Sequence, residues 1–420
     1  MKIKDINKEN YKLHLIKTNK FKTILVKVVF WNELKKEELT LRNMLIKNLL
    51  FSSAQYNTLR KMAIKKDELF SVDLYSRTYR RGGQILSEIN LSSLSEEYLE
   101  KDGLQESLKF LFEIINNPNV KDGKFEEESF QINHDKLKSA IQNEKEDPMY
   151  YSYTKFKEMI DKNQKYGPSI LGTLEDLEKI TPENLYKYYK KFLTNNQVDI
   201  YIVGNFNEDK VTKIIEKEAK FKSINLKKVK INKGYKKNYS IKEEQSKFNQ
   251  SKSILGGSID KLTSHEKLYA GIVYNIILGN SPTSKLFKNV REKKSFAYNI
   301  SSSINRLDGL FFIYAGISLK NEQQAKQEIY KQMNRMKEGK FTNQEIKNAK
   351  QVILSIIKEV DEYPGSILDH YMNYLYFENE KLSKQKEEIN KVTKEDVVRV
   401  ANKINIDTVY LLKEQSNEKN

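Results

Sequence analysis

Apolar and polar residues alternate in two pairs of short segments, one pair in each half of the chain. The first pair is SVDLYSRTY and QILSEINL (71–79 and 84–91), and the second is AYNISSSI and LFFIYAGIS (297–304 and 310–318). Alternation with a period of two is typical of strands, and the glycine-containing turns YRRGG and NRLDG between them indicate β-hairpins. The pattern therefore predicts one hairpin in each half.

A second pattern also occurs twice. ITPENLYKYYKKFLTNNQVDIYIVG (180–204) and VTKEDVVRVANKINIDTVYLL (392–412) each combine an amphipathic helical spacing with a following β-branched and aromatic run. Thr181, followed by Pro182, and Thr393 stand where a helix N-cap would satisfy free backbone N–H groups. Both segments are therefore predicted to form a helix that leads into a strand.

The tripeptide Gly-Lys-Phe follows an apolar helical run in both halves, at 123–125 and 339–341. Two copies of one unit explain all these recurrences, since internal repeats usually mark repeated structural units. We expect an α+β fold of two homologous units, each a largely antiparallel sheet covered on one face by helices.

The expected boundaries are an N-terminal unit over 1–220, a linker over 221–245 and a C-terminal unit over 246–420. The polar, lysine-rich composition around 220–250 favours a connector. The same stretch could also contain the first strand of the second unit, and both interpretations stay open at this point.

The composition is that of a folded protein. The chain has 420 residues, 38% of them hydrophobic, with 25 Tyr and 19 Phe, which is too aromatic for a disordered polyelectrolyte. Cysteine is absent, which excludes disulfide scaffolds, cysteine-ligated zinc and thiol catalysis, and fits a reducing compartment. The charged start has no signal-peptide core, and no run is long enough to span a membrane, so we expect a cytoplasmic protein without a membrane partner.

The formal net charge of +17 raises the question of nucleic-acid binding. Most of the basic residues are lysines that alternate with glutamates on helical stretches, a pattern typical of solvated helix faces. Base readout and forked phosphate contacts favour arginine instead. We therefore expect no nucleic-acid partner, although a basic anion- or nucleic-acid-binding protein stays as a minor alternative.

SKLFKNVREKKSFAYNISSSI (284–304) with DGLFFIYAGIS (308–318) resembles the C-terminal half of the insulinase/pitrilysin family of zinc peptidases. KYGPSILGTLEDLEKITPENLYKYYKKFL (165–193) resembles the first half, and the resemblance extends over nearly the whole chain. Within the family it is most similar to bacterial members associated with aminopentanol modification of elongation factor P. The resemblance also implies that the two units together form a clam-like half. Catalytic members carry HxxEH on a helix, whose two His and a downstream Glu bind zinc.

This sequence departs from that zinc motif. The corresponding helix, within LTLRNMLIKNLLFSSAQ (39–55), has Met44, Lys47 and Asn48 near the expected positions, and the third ligand position falls near Ala140, or at Glu144 if a gap intervenes. The four histidines, which are too far apart in sequence to form a ligand pair on one helix, are His14, His134, His265 and His370. His265-Glu266 lacks the second His of HExxH and is interpreted as a solvated helix start. We expect no metal site and no cofactor in this chain.

Arg291 and Tyr298 in NVREKKSFAY match the family's R-x6-Y pair, which reaches zinc-bound substrate in catalytic members. The resemblance implies substrate and transition-state contacts for both residues, since a guanidinium can hold substrate carbonyls and a phenol can donate to an oxyanion. Taken alone, Arg291 could equally be a helix-end residue and Tyr298 an amphipathic strand residue.

The sequence thus favours a non-catalytic subunit of a two-chain zinc metallopeptidase, inactive by itself, that binds peptide and supplies Arg291 and Tyr298 in trans. Its expected partners are an HxxEH-bearing sister chain, which would hold the zinc, and a peptide substrate; the isolated chain could form a homodimer. The alternative is a scaffold paralogue without a role in catalysis. An active peptidase with an unrecognised metal site is the least favoured hypothesis.

Overall fold

The computed structural model describes residues 1–99, 102–160, 169–225 and 240–415. The chain folds into two compact units, each assembled from three chain segments. Unit 1 comprises Met1–Asn143, Ser169–Lys228 and Asp361–Met372, and unit 2 comprises Glu144–Pro168, Val229–Val360 and Asn373–Asn420.

The strands of the described residues form one large sheet in each unit and a small ribbon. In chain order they are β1 Lys2–Asn7, β2 Lys12–Lys17, β3 Thr23–Glu33, β4 Asp73–Arg81, β5 Gln84–Leu94, β6 Val120–Lys121, β7 Lys124–Phe125, β8 Gln197–Gly204, β9 Ser240–Gln245, β10 Ser251–Ser258, β11 Ala297–Asn305, β12 Leu310–Ile317 and β13 Thr408–Lys413.

The α-helices of the described residues are α1 Leu39–Phe51, α2 Leu59–Glu68, α3 Gly103–Asn116, α4 Glu127–Glu146, α5 Pro148–Ile160, α6 Leu174–Glu178, α7 Pro182–Phe192, α8 Glu208–Glu218, α9 Ser264–Leu268, α10 Ala270–Leu278, α11 Glu322–Lys337, α12 Asn343–Glu359, α13 Pro364–Tyr376, α14 Leu382–Lys391 and α15 Lys394–Lys403. A π-helical turn, Phe287–Glu292, lies between α10 and β11.

The sheet of unit 1 has the strand order β1-β2-β8-β3-β5-β4, and the sheet of unit 2 has the order β11-β12-β10-β13-β9. Neighbouring strands are antiparallel except for β2 with β8 and β9 with β13. Read from the hairpin, the two orders correspond strand by strand, with the parallel pair in the same place. The predicted α+β fold of two homologous units with largely antiparallel sheets is therefore confirmed.

Both predicted repeats have the expected local structure. β4 pairs with β5 and β11 with β12 as hairpins. In the helix-strand repeats, the hydroxyls of Thr181 and Thr393 accept hydrogen bonds from the backbone N–H groups three residues later, and both helices have a complete capping box. The local signals sufficed here because caps and hairpin turns depend only on residues close in sequence.

One face of each sheet carries the main apolar core. In unit 1, alternate residues of β3 such as Val26, Val28 and Phe30 pack with buried residues of α1, α3 and α7. In unit 2, β12 supplies Phe311 and Ile313 to a core shared with α10, α12 and α15. This strict alternation fixes which side chains face the other side of each sheet, because a shift of one residue would reverse every one of them.

The opposite face of each sheet is also partly covered. Phe156 and Ile160 of α5 pack with Ile254 of β10 and Tyr410 of β13 in unit 2. In unit 1, the segment Asp361–Met372 supplies side chains to the second face of its sheet. The sequence pattern did not indicate either contact, because each helical segment belongs to a unit from which it is distant in sequence.

The region around the expected linker is described only in part. Residues 240–245 form β9, which pairs with β13 in parallel and corresponds to β2 of unit 1. A strand at this end of the linker is one of the two interpretations that the sequence left open. Residues 226–239, and the first four residues of the KYGPSILG stretch (165–168), lie outside the described residues.

A polar network lies on the second face of the unit 1 sheet, around the buried His14 of β2. Its Nδ1 lies 2.7 Å from Asp5 Oδ1, and its Nε2 lies 3.1 Å from Asp199 Oδ1. The Tyr371 hydroxyl donates to Asp5 Oδ2 (2.7 Å), and the Trp31 indole N–H donates to Asp199 Oδ2 (2.7 Å). The network therefore ties β1, β2, β3, β8 and the middle of α13 together within unit 1.

His14 should make the stability of this network depend on pH. Burial alone would lower the pKa of His14, but the hydrogen bonds and charges of Asp199 and Asp5 outweigh it and raise the pKa. Because the folded-state pKa lies above the unfolded value of about 6.5, this stabilisation is present below that pH and is lost as the pH rises through the folded-state pKa.

We therefore expect the free energy of local opening at β1 and β2 to fall as the pH rises above about 6.5. In the His14→Gln variant this dependence should flatten, and protection at low pH should fall. Amide hydrogen exchange of β1 and β2 across this range measures the effect, with His265→Gln, a substitution at an exposed side chain in unit 2, as the control. Identical pH profiles for wild type and His14→Gln would contradict the prediction.

Candidate functional site

The segment that carries Arg291 begins as a helical turn whose buried side is set by Leu286 and Val290. Both belong to the unit 2 core. Residues Phe287–Glu292 adopt the wider π-helical form, which is rare and is often found at functional sites. The Arg291 side chain points away from the core, and its guanidinium lies 4.6 Å from the centre of the Phe287 ring. A cation–π contact of this kind restrains a long side chain while leaving its N–H donors available.

Ser295 ends this turn. Its φ of +52° is uncommon for a residue other than glycine. The Ser295 N–H donates to the carbonyl of Arg291 (3.0 Å), and the Phe296 N–H donates to the carbonyl of Val290 (2.9 Å). These bonds satisfy carbonyls at the end of the helical turn, so the chain enters β11 at a fixed angle. A backbone outlier beside a candidate site is a reason to look for function there.

Tyr298 is exposed because of a bulge at the start of β11. Ala297 and Ile300 both belong to the core, but they are three positions apart, and a regular strand would place them on opposite faces. The pairing of β11 with β12 resolves this conflict with a register shift between Ala297 and Asn299. Tyr298 falls at the shift, and 62% of its surface is accessible.

The immediate surroundings of Arg291 are basic. Lys288, Lys293 and Lys294 lie on the same turn, and of these only Lys294 forms an ion pair within the described residues, with Glu328 at 2.8 Å. Within those residues Arg291 also has no carboxylate partner. The structure therefore presents both members of the R-x6-Y pair to solvent on unit 2, one stacked on an aromatic ring and the other at a bulge.

The helix expected to carry a zinc motif is α1, and its side chains serve packing instead. Met44 and Asn48 are buried, and Asn48 Nδ2 donates to the carbonyl of Met44 (2.8 Å). Burial lowers the pKa of Lys47, and the positive charge of Lys136 on α4 lowers it further. Two lysines near each other at this place oppose a divalent cation electrostatically.

The third expected ligand position gives no support for a metal site either. Ala140 on α4 has no ligand atom in its side chain. Glu144, the alternative, belongs to unit 2 rather than to the unit that contains α1. Over residues 1–99, 102–160, 169–225 and 240–415, no group of three or more His, Cys, Asp or Glu side chains is placed to hold a metal ion.

Residues 179–353 match a family model described as "Peptidase M16 inactive domain". A Bacillus subtilis (strain 168) protein named "Probable inactive metalloprotease YmfF" is 29% identical over 406 residues, which cover 95% of each chain. The crystal structure of a conserved protein from Enterococcus faecalis V583 has a TM-score of 0.91 at 28% identity and covers 99% of this chain and 100% of that one.

Residues 179–353 are therefore similar to the peptidase M16 inactive domain, and nearly the whole chain is similar to a probable inactive metalloprotease. The insulinase/pitrilysin resemblance that the motifs indicated is therefore confirmed. The M16 inactive domain from Pseudomonas fluorescens shares the fold over the whole of both chains, with a TM-score of 0.81 at 16% identity.

Among the described residues, no histidine of this chain belongs to a group of three or more potential metal ligands. His265 lies in the first turn of α9 with its side chain exposed, and its Nε2 lies 2.9 Å from Glu388 Oε2. The interpretation of His265-Glu266 as a solvated pair is only half right. Glu266 is buried, and its carboxylate accepts hydrogen bonds from Lys403 and Arg399 of α15. These two cations, which are distant in sequence, compensate the buried negative charge.

Several features of the candidate site could not be predicted from the sequence. The π-helical turn and the left-handed Ser295 leave no established composition signal. The bulge did have a sequence signal, since the apolar residues Ala297 and Ile300 break the period of two that a regular strand follows.

Among the described helices, none combines the length and the apolar composition that a membrane crossing needs.

We expect the purified chain to bind no stoichiometric zinc, because α1 has neither the two His of the HxxEH motif nor a carboxylate. The positive charges of Lys47 and Lys136 would also repel a divalent cation. Metal analysis after incubation with zinc and gel filtration measures this. The Met44→His/Lys47→Glu/Asn48→His variant is the matched comparison and should retain more zinc than wild type. One tightly held zinc per wild-type chain would contradict the prediction.

Proposed function

We propose that this chain is the non-catalytic subunit of a two-chain zinc metallopeptidase. It binds the peptide substrate and places Arg291 and Tyr298 at the active site of a partner chain that carries HxxEH and the zinc. The observation that carries the proposal is the contrast between two places in the chain. The metal-binding helix has lost its ligands, whereas the R-x6-Y pair is retained, exposed and backbone-supported.

The chemistry of the pair suits peptide hydrolysis. The Arg291 guanidinium offers a fork of N–H donors to a substrate carbonyl or carboxylate. The Tyr298 hydroxyl can donate to the oxyanion that develops when the partner's zinc-activated water attacks the peptide carbonyl. Neither group needs a metal of its own for this role, so both can act on a site completed by another chain.

Two further features favour a peptide as the ligand. Tyr298 lies at the start of β11, which is an edge strand of the unit 2 sheet. Edge strands have backbone groups that can pair with an extended peptide. The restraint of Arg291 by Phe287 would also reduce the entropy lost when the guanidinium holds a ligand.

The name of the B. subtilis relative, "Probable inactive metalloprotease YmfF", is consistent with a chain that does not act alone. A scaffold paralogue would also be inactive, but it would have no need of an exposed Arg291 and Tyr298. The two proposals therefore differ in what happens when these two side chains are removed.

The test is peptidase activity on a quenched unstructured peptide. The assay uses this chain alone, an HxxEH-bearing M16 chain from the same genome alone, and their mixture. We expect activity only in the mixture, and Arg291→Ala or Tyr298→Phe should lower kcat by about 10²–10³-fold, the usual effect of losing one oxyanion donor.

Matched controls are Arg60→Ala and Tyr363→Phe, which remove the same groups from exposed positions elsewhere; Tyr363 is 63% accessible. Both should leave the activity of the mixture unchanged. Full activity of the partner alone, or a mixture that is indifferent to Arg291→Ala and Tyr298→Phe, would favour the scaffold function. Analytical ultracentrifugation of the variants shows whether a loss of activity follows from a loss of assembly.

A further inference from the structure

A basic groove lies on unit 2, between the segment 285–293 and the segment 335–345, with a volume of about 500 Å³. Its lining residues are Lys285, Lys288, Asn289, Lys293, Arg335, Gly339, Lys340, Phe341, Thr342 and Glu345. The second Gly-Lys-Phe tripeptide of the sequence repeat therefore forms part of its wall. The groove includes five cationic side chains and one carboxylate.

The cations of the basic groove are only partly neutralised. The buried Lys285 pairs with Glu345 (3.0 Å), and Lys340 pairs with Glu338 (2.6 Å). Lys288, Lys293 and Arg335 form no ion pair within the described residues. Three uncompensated positive charges thus remain beside one concave surface, where low-dielectric walls strengthen attraction of an anion.

The corresponding place in unit 1 is different. There the first Gly-Lys-Phe tripeptide forms the β6–β7 ribbon. Lys124 lies 3.5 Å from Glu127 and 3.9 Å from Glu183, so its charge is compensated on the surface. The tripeptide lysine is thus paired in both units, so the excess of positive charge in the basic groove comes from Lys288, Lys293 and Arg335.

We propose that the basic groove binds a short acidic peptide segment through Lys288, Lys293 and Arg335. A carboxylate already occupies one end of the groove, since Glu345 pairs there with Lys285. A peptide with successive Asp or Glu side chains can place its carboxylates against the three remaining cations, and the open shape of the groove suits an extended chain.

The groove is less well suited to a phosphate group. Phosphates favour the free backbone N–H groups at a helix N-terminus, but the start of α12 is closed by its own capping box. The Thr342 N–H donates to Glu345 Oε2 (2.7 Å), and the Glu345 N–H donates to Thr342 Oγ1 (3.1 Å). Single-stranded nucleic acid would also require an exposed aromatic platform, whereas Phe341 is buried.

The basic groove and Arg291 use different faces of one helical turn. Lys285, Lys288 and Asn289 line the groove, whereas Arg291 stacks on Phe287 outside it. Binding to the groove is therefore separate from the catalytic proposal and needs neither a partner chain nor zinc. It can be measured on the full chain alone.

The test is fluorescence anisotropy of labelled hexaglutamate, with hexaglutamine as the uncharged comparison. We expect wild type to bind hexaglutamate and not hexaglutamine, with an affinity that falls as salt is added. The Lys288→Glu/Arg335→Glu variant should weaken binding by about tenfold or more, because attraction is replaced by repulsion at two of the three free cations. The neutral Lys288→Gln/Arg335→Gln variant should show a smaller loss of the same direction.

The control is Lys138→Glu/Lys217→Glu, which changes the net charge equally at exposed positions of unit 1. It should leave binding within about twofold of wild type, because neither lysine lines the groove. Equal loss in both charge-reversal variants, or tighter groove-dependent binding of tripolyphosphate or single-stranded DNA than of hexaglutamate, would overturn the proposal. Circular dichroism checks that all variants are folded.

Discussion

The burial of three side chains, Val290, Ala297 and Ile300, governs the geometry of the candidate site. They cannot all reach the unit 2 core from a regular helix followed by a regular strand. The chain accommodates them with a widened turn, a left-handed Ser295 and a bulge in β11. Arg291 lies on the widened turn and Tyr298 lies at the bulge, and both side chains are exposed. Hydrophobic burial thus helps to position this candidate pair at the protein surface.

Unit 1 differs from unit 2, because α1, the helix on which the family resemblance would place the zinc motif, has no zinc ligands. On α1, Met44 and Asn48 are buried in the helical layer, and Lys47 lies near Lys136. The ionisable chemistry of this unit is found instead on the second face of its sheet, where His14 lies between two aspartates. A buried charged network of this kind stabilises the fold only when every member is paired, which makes it structural and position-specific.

Much of the local structure could be predicted. The hairpins follow from strict alternation and turn residues, and the capping boxes at Thr181 and Thr393 follow from short-range hydrogen bonds. The Arg291 and Tyr298 positions followed from a motif. Contacts between residues distant in sequence could not be predicted, such as Asp199 with His14, Glu266 with Lys403, or α5 against β10 and β13. The topology of the fold determines which distant residues come into contact, and local sequence preferences do not encode the topology directly.

The sequence by itself determined the repeated α+β architecture, the absence of a His pair for zinc and the presence of the R-x6-Y spacing, because these depend on residue identity and short-range periodicity. Only the tertiary structure decided that the pair is exposed and that α5 belongs with unit 2. It also decided that Lys288, Lys293 and Arg335, which line the basic groove, form no ion pair with any other described residue. Exposure and charge compensation depend on which distant residues pack nearby, so they arise only when the chain is folded.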